Sequence, residues 1–308
     1  MTNQKDELLM QEILDIKEQK SIYIIAHYYQ RDNIQDIADF VGDSYSMAVA
    51  AKKSSCNTIL VAGVDFMAES AAILCPDKTV LSPEPMATCP MANSIAVSDI
   101  ITYKEKYPDS IIVSYVNTPA EIKAVSDICC TSSNALRILK KLPADARIYF
   151  VPDQNLGNNV AKELKRRNID FYPSHCPIHA NVKRHEVLEL KDSFPQAKVL
   201  VHPECDPEVI EIADFVGSTA GMVKYVKESR DETFIIGTES GIFHAIHQES
   251  PEKKLILASP ELICPNMKSI TLDKIRHSMQ NMETVITVPE DIRSRAAMAL
   301  EKMIAYSQ

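Results

Sequence analysis

The sequence predicts an α/β protein of three homologous α/β/α sandwich domains, each with a parallel four-stranded sheet, arranged around a pseudo-threefold axis. Three observations predict it. The dipeptide Cys-Pro closes similar stretches at Cys89, Cys176 and Cys264, 87 and 88 residues apart in a chain of 308. Other features fall in the same phase. His27, Tyr115 and His202 open a register, with Tyr29, Asn117 and Glu204 two residues on. Asp39, Asp127 and Asp214 follow at 12, and Ser44, Ser132 and Thr219 at 17, with the cysteines at 62, 61 and 62. The string IADFVG even stands verbatim at 37–42 and 212–217, whereas the fourth Cys-Pro, at Cys75, is out of phase. Third, each unit alternates short β-branched runs with helical stretches. Strands apolar along their whole length, separated by helices, imply parallel sheets covered on both faces.

The elements follow in order. DELLMQEILDIKEQ, near the start, reads as an amphipathic outer helix. In the first unit SIYIIAH, DFVGD, NTILVAG and KTVLS are bounded by Gly, Pro or Asp and read as strands, with SYSMAVAAKKSS a helix between them. The third unit repeats the pattern in KVLVHP, DFVGS, TFIIGT and KLILASP, with TAGMVKYVKESR as the matching helix. PEDIRSRAAMALEKMIAY is a second outer helix. The expected domains are residues 1–109 with the N-terminal helix, 110–197, and 198–308 with the C-terminal helix.

Composition narrows the function classes. A net charge of −9 with scattered Lys and Arg argues against a nucleic-acid groove or an anionic-membrane surface. No apolar run of membrane-spanning length or signal-peptide core is present, so a cytoplasmic location is expected. Eight cysteines in such a chain point to packing, catalysis or metal binding rather than a disulfide framework.

Ligands of open parallel sheets bind beyond the carboxyl ends of the strands. His27, Tyr115 and His202 each end the first strand of a unit. Ser44, Ser132 and Thr219 each stand before a helix, where a hydroxyl is expected as N-cap and anions find unpaired N–H groups. The Cys-Pro loops follow the fourth strand of each unit and face the same centre. Three converging thiolates suit an iron–sulfur cluster with one iron left open, or zinc with His179 or His175 as a fourth ligand; spacing alone also allows buried thiols.

The chain resembles the quinolinate synthase family in AHYYQ, VGDS, DFMAES, YVNT, CCTSSNA, PDQNLG, HPEC, GSTAGM, IGTESG and CPNMKSI, in order over about residues 24–270. The resemblance implies a [4Fe-4S] cluster held by Cys89, Cys176 and Cys264 alone. It also implies condensation of iminoaspartate with dihydroxyacetone phosphate to quinolinate, releasing phosphate and water, within NAD biosynthesis. The implied substrate-binding positions are His27, Ser44, Tyr115, Val116, Asn117, Ser132, His202, Pro203, Glu204 and Thr219. In the roles expected, His27 with Ser44 and Asn117 with Ser132 each seat a carboxylate, and Ser218 with Thr219 holds the phosphate. Glu204, Tyr29 and His202 do acid–base work, and Tyr115 polarises or gates. Functional coupling to an aspartate oxidase or dehydrogenase, as source of the imine, is the implied partnership.

Cys56, Cys75, Cys129 and Cys130 read as structural. Cys205 adjoins the site, and Lys268 faces the substrate anions or else belongs to a solvated loop. Two departures from the family pattern matter. Glu261 and Ala258 stand where some longer members carry cysteines, which excludes a disulfide switch there. His175 stands close before Cys176 where a glycine is more common, and is expected to crowd the centre or bond a sulfur. A zinc hydro-lyase and a cluster-bearing redox sensor are the competing readings.

Overall fold

The computed structural model describes residues 4–308; residues 1–3 of the expected first domain lie outside it. Among the described residues, twelve strands form three four-stranded sheets. The first holds β1 (Ile22–His27), β2 (Phe40–Gly42), β3 (Thr58–Ala62) and β4 (Thr79–Leu81). The second holds β5 (Ile111–Tyr115), β6 (Ile128–Cys130), β7 (Ile148–Val151) and β8 (Ile169–Phe171). The third holds β9 (Lys198–Val201), β10 (Phe215–Val216), β11 (Thr233–Gly237) and β12 (Lys254–Leu257). The spatial orders are β2-β1-β3-β4, β6-β5-β7-β8 and β10-β9-β11-β12, one order used three times, and every strand pairing within the sheets is parallel. The expected fold class is therefore the observed one.

The in-phase aspartates explain how a short second strand is held. Asp39, Asp127 and Asp214 each accept, through Oδ2, the backbone N–H of a residue fifteen positions earlier in the first strand: Ile24 at 2.8 Å, Ile112 at 2.7 Å and Val199 at 2.9 Å. Their own N–H groups donate back to the carbonyls of the same three residues. Each aspartate thus pairs the free edge of its first strand where the two- or three-residue second strand has not yet begun. β3 and β7 are buried at every position, as strands covered on both faces must be. Each such Ile, Leu or Val side chain contributes roughly 1.5–3 kcal/mol on burial.

The tail of the chain does not stay with the third sheet. Helix Leu272–Asn281 packs against the N-terminal helix Gln4–Lys20, whose Lys20 ammonium donates to the Met279 and Gln280 carbonyls at 3.1 and 2.7 Å. Val285 then makes an antiparallel bridge with Leu81 at the β4 edge. The last helix, Glu290–Ser307, lies on helices Asp65–Leu74 and Ala120–Ala124 and on β6, so it closes the seam between the first and second units. Among the described residues no helix is long and apolar enough to cross a membrane.

Candidate active site

One cavity of about 900 Å³, counting the space at its mouth, lies where the carboxyl ends of the three sheets meet. The repeat register converges on it. His27, Tyr115 and His202 line it, with Tyr29, Asn117 and Glu204 two residues on, Ser44, Ser132 and Thr219 beside the helix starts, and Cys89, Cys176 and Cys264 across from them. Val116, Pro203 and Ser218 are not on its wall. The Pro203 carbonyl accepts from Asn159 at 2.8 Å, a backbone support for the turn that carries Glu204.

The hydroxyls reach the cavity because neighbours do the capping. Asp43, not Ser44, caps helix Ser44–Lys53, accepting the Ser46 N–H at 2.9 Å. Ser218, not Thr219, caps helix Thr219–Glu228 through the Gly221 N–H at 3.2 Å. In the second unit the Asn134 side chain takes the Thr131 N–H at 2.6 Å and the helix begins only at Ala135, leaving Ser132 in the preceding turn. The expected N-cap role therefore moves from Ser44, Ser132 and Thr219 to other residues; this leaves the Ser44 and Ser132 hydroxyls to a ligand, while Thr219 Oγ1 turns to Tyr29. Among the described residues no Lys or Arg lines the cavity. An anion here is met by hydroxyls and helix-start N–H groups, not by a cationic side chain.

Glu204 is the hub of the polar wall. Its Oε2 lies 2.7 Å from His179 Nδ1 and 3.6 Å from His202 Nδ1, and the Tyr115 hydroxyl donates to the same carboxylate. Burial pushes the carboxyl up, but these partners outweigh it and keep Glu204 ionised. On the far side of the His179 ring, Nε2 stands 2.9 Å from Thr238 Oγ1, which stands 2.6 Å from the Tyr29 hydroxyl. Thr219 in turn donates to Tyr29 at 3.1 Å. With Nδ1–H donating to Glu204 and Nε2 accepting from Thr238, Tyr29, Thr238, His179 and Glu204 form one directional hydrogen-bond chain. Tyr29 and Tyr115 are held far above the usual phenol range by burial and by Glu204, so both remain proton donors. His27 and His202 are neutral, burial lowering each to about 3. Glu204 Oε1 and Asn117 Oδ1 are buried without a hydrogen-bond partner, two acceptors facing a space made for donors.

A family model described as quinolinate synthetase A protein matches residues 11–305. The chain is 46% identical over 297 residues to quinolinate synthase of Methanosarcina barkeri, covering 96% of this chain and 97% of that protein. It is 45% identical over 301 residues to quinolinate synthase of Caldicellulosiruptor saccharolyticus, covering 98% and 99%. The chain belongs to the quinolinate synthase family.

The cysteines suit the metal centre that the family resemblance implies. Each sulfur receives backbone N–H groups from the turn after its own proline: Ala92 and Met91 for Cys89, His179 for Cys176, Met267 and Asn266 for Cys264. As thiols they are unfavourable to ionise, burial driving Cys89 to about 12 and the mutual charges of Cys89 with Cys264 and with Cys176 adding to it. Three half-buried soft donors close enough to repel, each supplied with amide hydrogens, form a ligand set that a cation would relieve.

Other members of the expected set stand elsewhere. His175 is exposed and off the cavity wall, so it does not crowd the centre; His179 is the histidine at the metal side, Nδ1 3.3 Å from Cys176 Sγ. The Lys268 ammonium does not face the cavity. It donates to the Tyr29 carbonyl at 2.7 Å and pairs with Glu239 at 3.1 Å. Cys205 is fully buried beneath the Glu204 turn, its thiol at 3.5 Å from the Gly237 carbonyl, a packing position. Cys75, Cys129 and Cys130 are buried and Cys56 half-buried, none of them on the cavity wall. His179, Thr238, Asp153 and Glu239 were not singled out by sequence as catalytic groups. His179 was in view only as a fourth zinc ligand, and Thr238 only as the end of a strand.

Proposed function

We propose that the chain condenses iminoaspartate with dihydroxyacetone phosphate to quinolinate, releasing phosphate and water, as the quinolinate-forming enzyme of NAD biosynthesis. Cys89, Cys176 and Cys264 would hold a [4Fe-4S] cluster. When bound, it would supply a Lewis acid at the iron that lacks a protein ligand, able to polarise a substrate hydroxyl or carboxylate.

The chain's own residues divide the remaining work. Ser44 with His27, and Ser132 with Asn117, seat the two carboxylates through neutral donors. Thr219 and the first amides of its ten-residue helix seat the phosphate, with Ser218 holding that helix start in place. The condensation needs a proton removed beside a carbonyl, and ionised Glu204 is the base suited to take it. The later dehydrations need hydroxyls protonated as they leave. Tyr29 and Tyr115 are the acids for that; with its hydrogens turned the other way, the chain through His179 and Thr238 returns to Tyr29 the proton that Glu204 has taken. His202, stacked on His179 at 4.4 Å between ring centres, orients the pair and excludes water from the carboxylate.

The observation that carries this reading is the convergence of three repeat-related cysteines and three repeat-related strand ends on one cavity. A second reading, mononuclear zinc, draws on Cys176, His179 and Glu204, whose ligand atoms lie within 4.8 Å of one another. Metal and acid-labile sulfide analysis of anaerobically prepared protein separates the two, together with an assay on dihydroxyacetone phosphate and freshly generated iminoaspartate. Iron with sulfide and quinolinate formation are expected. Zinc without sulfide, or no quinolinate from cluster-loaded protein, would sink the proposal.

A further inference from the structure

The three Cys-Pro loops leave their sheets by one route. In each unit a backbone N–H just past the third strand donates to the carbonyl two residues before the cysteine. These bonds join Asp65 to Ala87 at 2.8 Å, Gln154 to Ser174 at 2.7 Å and Ser240 to Leu262 at 2.9 Å. The shared bond makes the preceding residues, Val64, Asp153 and Glu239, structurally equivalent, each two positions beyond β3, β7 or β11. Their side chains are not equivalent. Asp153 accepts the Cys176 N–H through Oδ2 at 3.2 Å and the Leu156 N–H through Oδ1 at 2.8 Å. Glu239 accepts the Cys264 N–H through Oε1 at 3.2 Å and the Gly241 N–H through Oε2 at 2.7 Å. Both carboxylates are fully buried. Val64 offers Cys89 no acceptor.

We infer that Asp153 and Glu239 are positioning residues for the metal centre, each pinning the peptide in front of one ligand cysteine, while Cys89 is held without such a clamp. The inference rests on the three cysteines being ligands of one centre. Its physical basis is the loss of backbone freedom. The proline after each cysteine confines the cysteine to extended ψ, observed as φ −69°, ψ 116° at Cys176 and φ −84°, ψ 107° at Cys264. With the N–H also fixed, the side-chain torsion is nearly all that remains to aim the sulfur. Each clamp also joins its ligand to an acid–base group. Asp153 caps helix Gln154–Leu164, whose Asn155 and Asn159 hold the Glu204 and Cys205 carbonyls at 3.1 and 3.2 Å. Glu239 binds Lys268, which donates to the Tyr29 carbonyl. Cys176 is thereby fixed relative to Glu204, and Cys264 relative to Tyr29.

Alkylation of the metal-free chain, read at each cysteine by peptide mass, tests this without reference to activity. Asp153→Asn keeps an oxygen for Leu156 but turns an amide toward the Cys176 N–H. Compared at equal thiolate fraction, because the lost charge also eases ionisation of Cys176, labelling of Cys176 should speed about fivefold, the worth of one hydrogen bond, with Cys89 and Cys264 unchanged. Glu239→Gln should do the same at Cys264 alone. An unfolded variant betrays itself by rapid labelling of the buried Cys129 and Cys130, and the other variant then decides; unfolding of both overturns the proposal, since a positioning residue leaves the sheets intact. Unchanged rates at the target cysteine, or equal rises at all three in a folded chain, also overturn it. On the iron-loaded protein both variants should lose iron to a chelator roughly tenfold faster or more. The selective labelling pattern in a chain that binds no iron would leave the clamps standing and remove the cluster reading; bound iron without the pattern would do the reverse.

Discussion

At the scale of single residues the cavity is a set of buried groups held in chosen protonation states. Glu204→Gln removes the proposed base and the anchor of the Tyr29 chain yet fills the same volume. Turnover should fall by at least about 100-fold while iron content is retained, and full activity in that variant would refute the assignment. His27 offers a test in the pH dependence of folding. Its folded value of about 3 lies below the ordinary 6.5 because of burial, so between these values the unfolded chain binds a proton that the folded chain refuses. Its contribution is fully present above pH 6.5 and is lost as pH falls toward 3; one such histidine withdraws about 2 kcal/mol between pH 7 and 5. In His27→Gln that loss is missing. The difference in urea-unfolding free energy between the metal-free wild type and variant should therefore move by about 2 kcal/mol toward the variant over that range. Parallel pH curves would mean that the imidazole takes its proton without leaving the fold. The residues that sequence reading brought forward, such as His27, Glu204 and the three cysteines, share a register that repeats. Those it passed over lack one. Asp153 and Glu239 stand 38 and 37 residues after Tyr115 and His202, a phase that could have found them, but the first unit breaks it with Val64.

Elements were legible where periodicity and punctuation agree. β1 ends at His27 and helix Ser44–Lys53 starts at Ser44, as the β-branched run and the polar residues before the helix suggest. The cap was harder, because Asp43-Ser44 and Ser218-Thr219 each place two good cap residues side by side, and propensity does not choose between them. The choice comes from backbone angles: Asp43, at φ −82°, ψ 172°, keeps the extended conformation that lets its carboxylate fold over the first turn. The consequence is measurable. Asp43→Ala should cost about 1 kcal/mol of stability, and it leaves Ser44 as the nearest hydroxyl able to cap. Once turned onto the helix, that hydroxyl no longer serves the cavity, so KM for one substrate should rise while kcat changes little. Asp43→Asn, which keeps the acceptor, should restore KM. A fall in kcat at constant KM would place the carboxylate itself in the chemistry instead.

In the molecule as a whole, the repeats alone do not make the site; the seams between units do, and these were not legible in any one unit's pattern. The amphipathic face of helix Glu290–Ser307 announces burial but not that its partners lie in the first two units. The seam between the first and third units carries Tyr29, whose hydroxyl meets Thr238 across it. The two N–H groups of the Gln35 amide are shared across it among three carbonyls, Tyr28 and Gln30 at 3.0 Å on one side and Gly241 at 2.9 Å on the other. Gly241 has helical angles that alanine adopts freely, φ −61°, ψ −20°, so its need for glycine is purely steric. An added Cβ would lie 2.7 Å from the Tyr28 carbonyl oxygen and 2.8 Å from the Tyr29 backbone. These are main-chain atoms, and no side-chain rotation relieves the overlap. Gly241→Ala should therefore push the Tyr28–Tyr29 loop off the third unit at a cost of about 1–3 kcal/mol, the usual range for overpacking. The displacement falls on the residue whose hydroxyl reaches Thr238 at 2.6 Å, so the proton chain is opened by a substitution that removes no functional group. The expected result is a folded, iron-binding protein whose kcat falls far more than its thermal stability. A variant that keeps wild-type kcat would show that Tyr29 does not depend on the contact between these two units, and the account of the seam would fail with it.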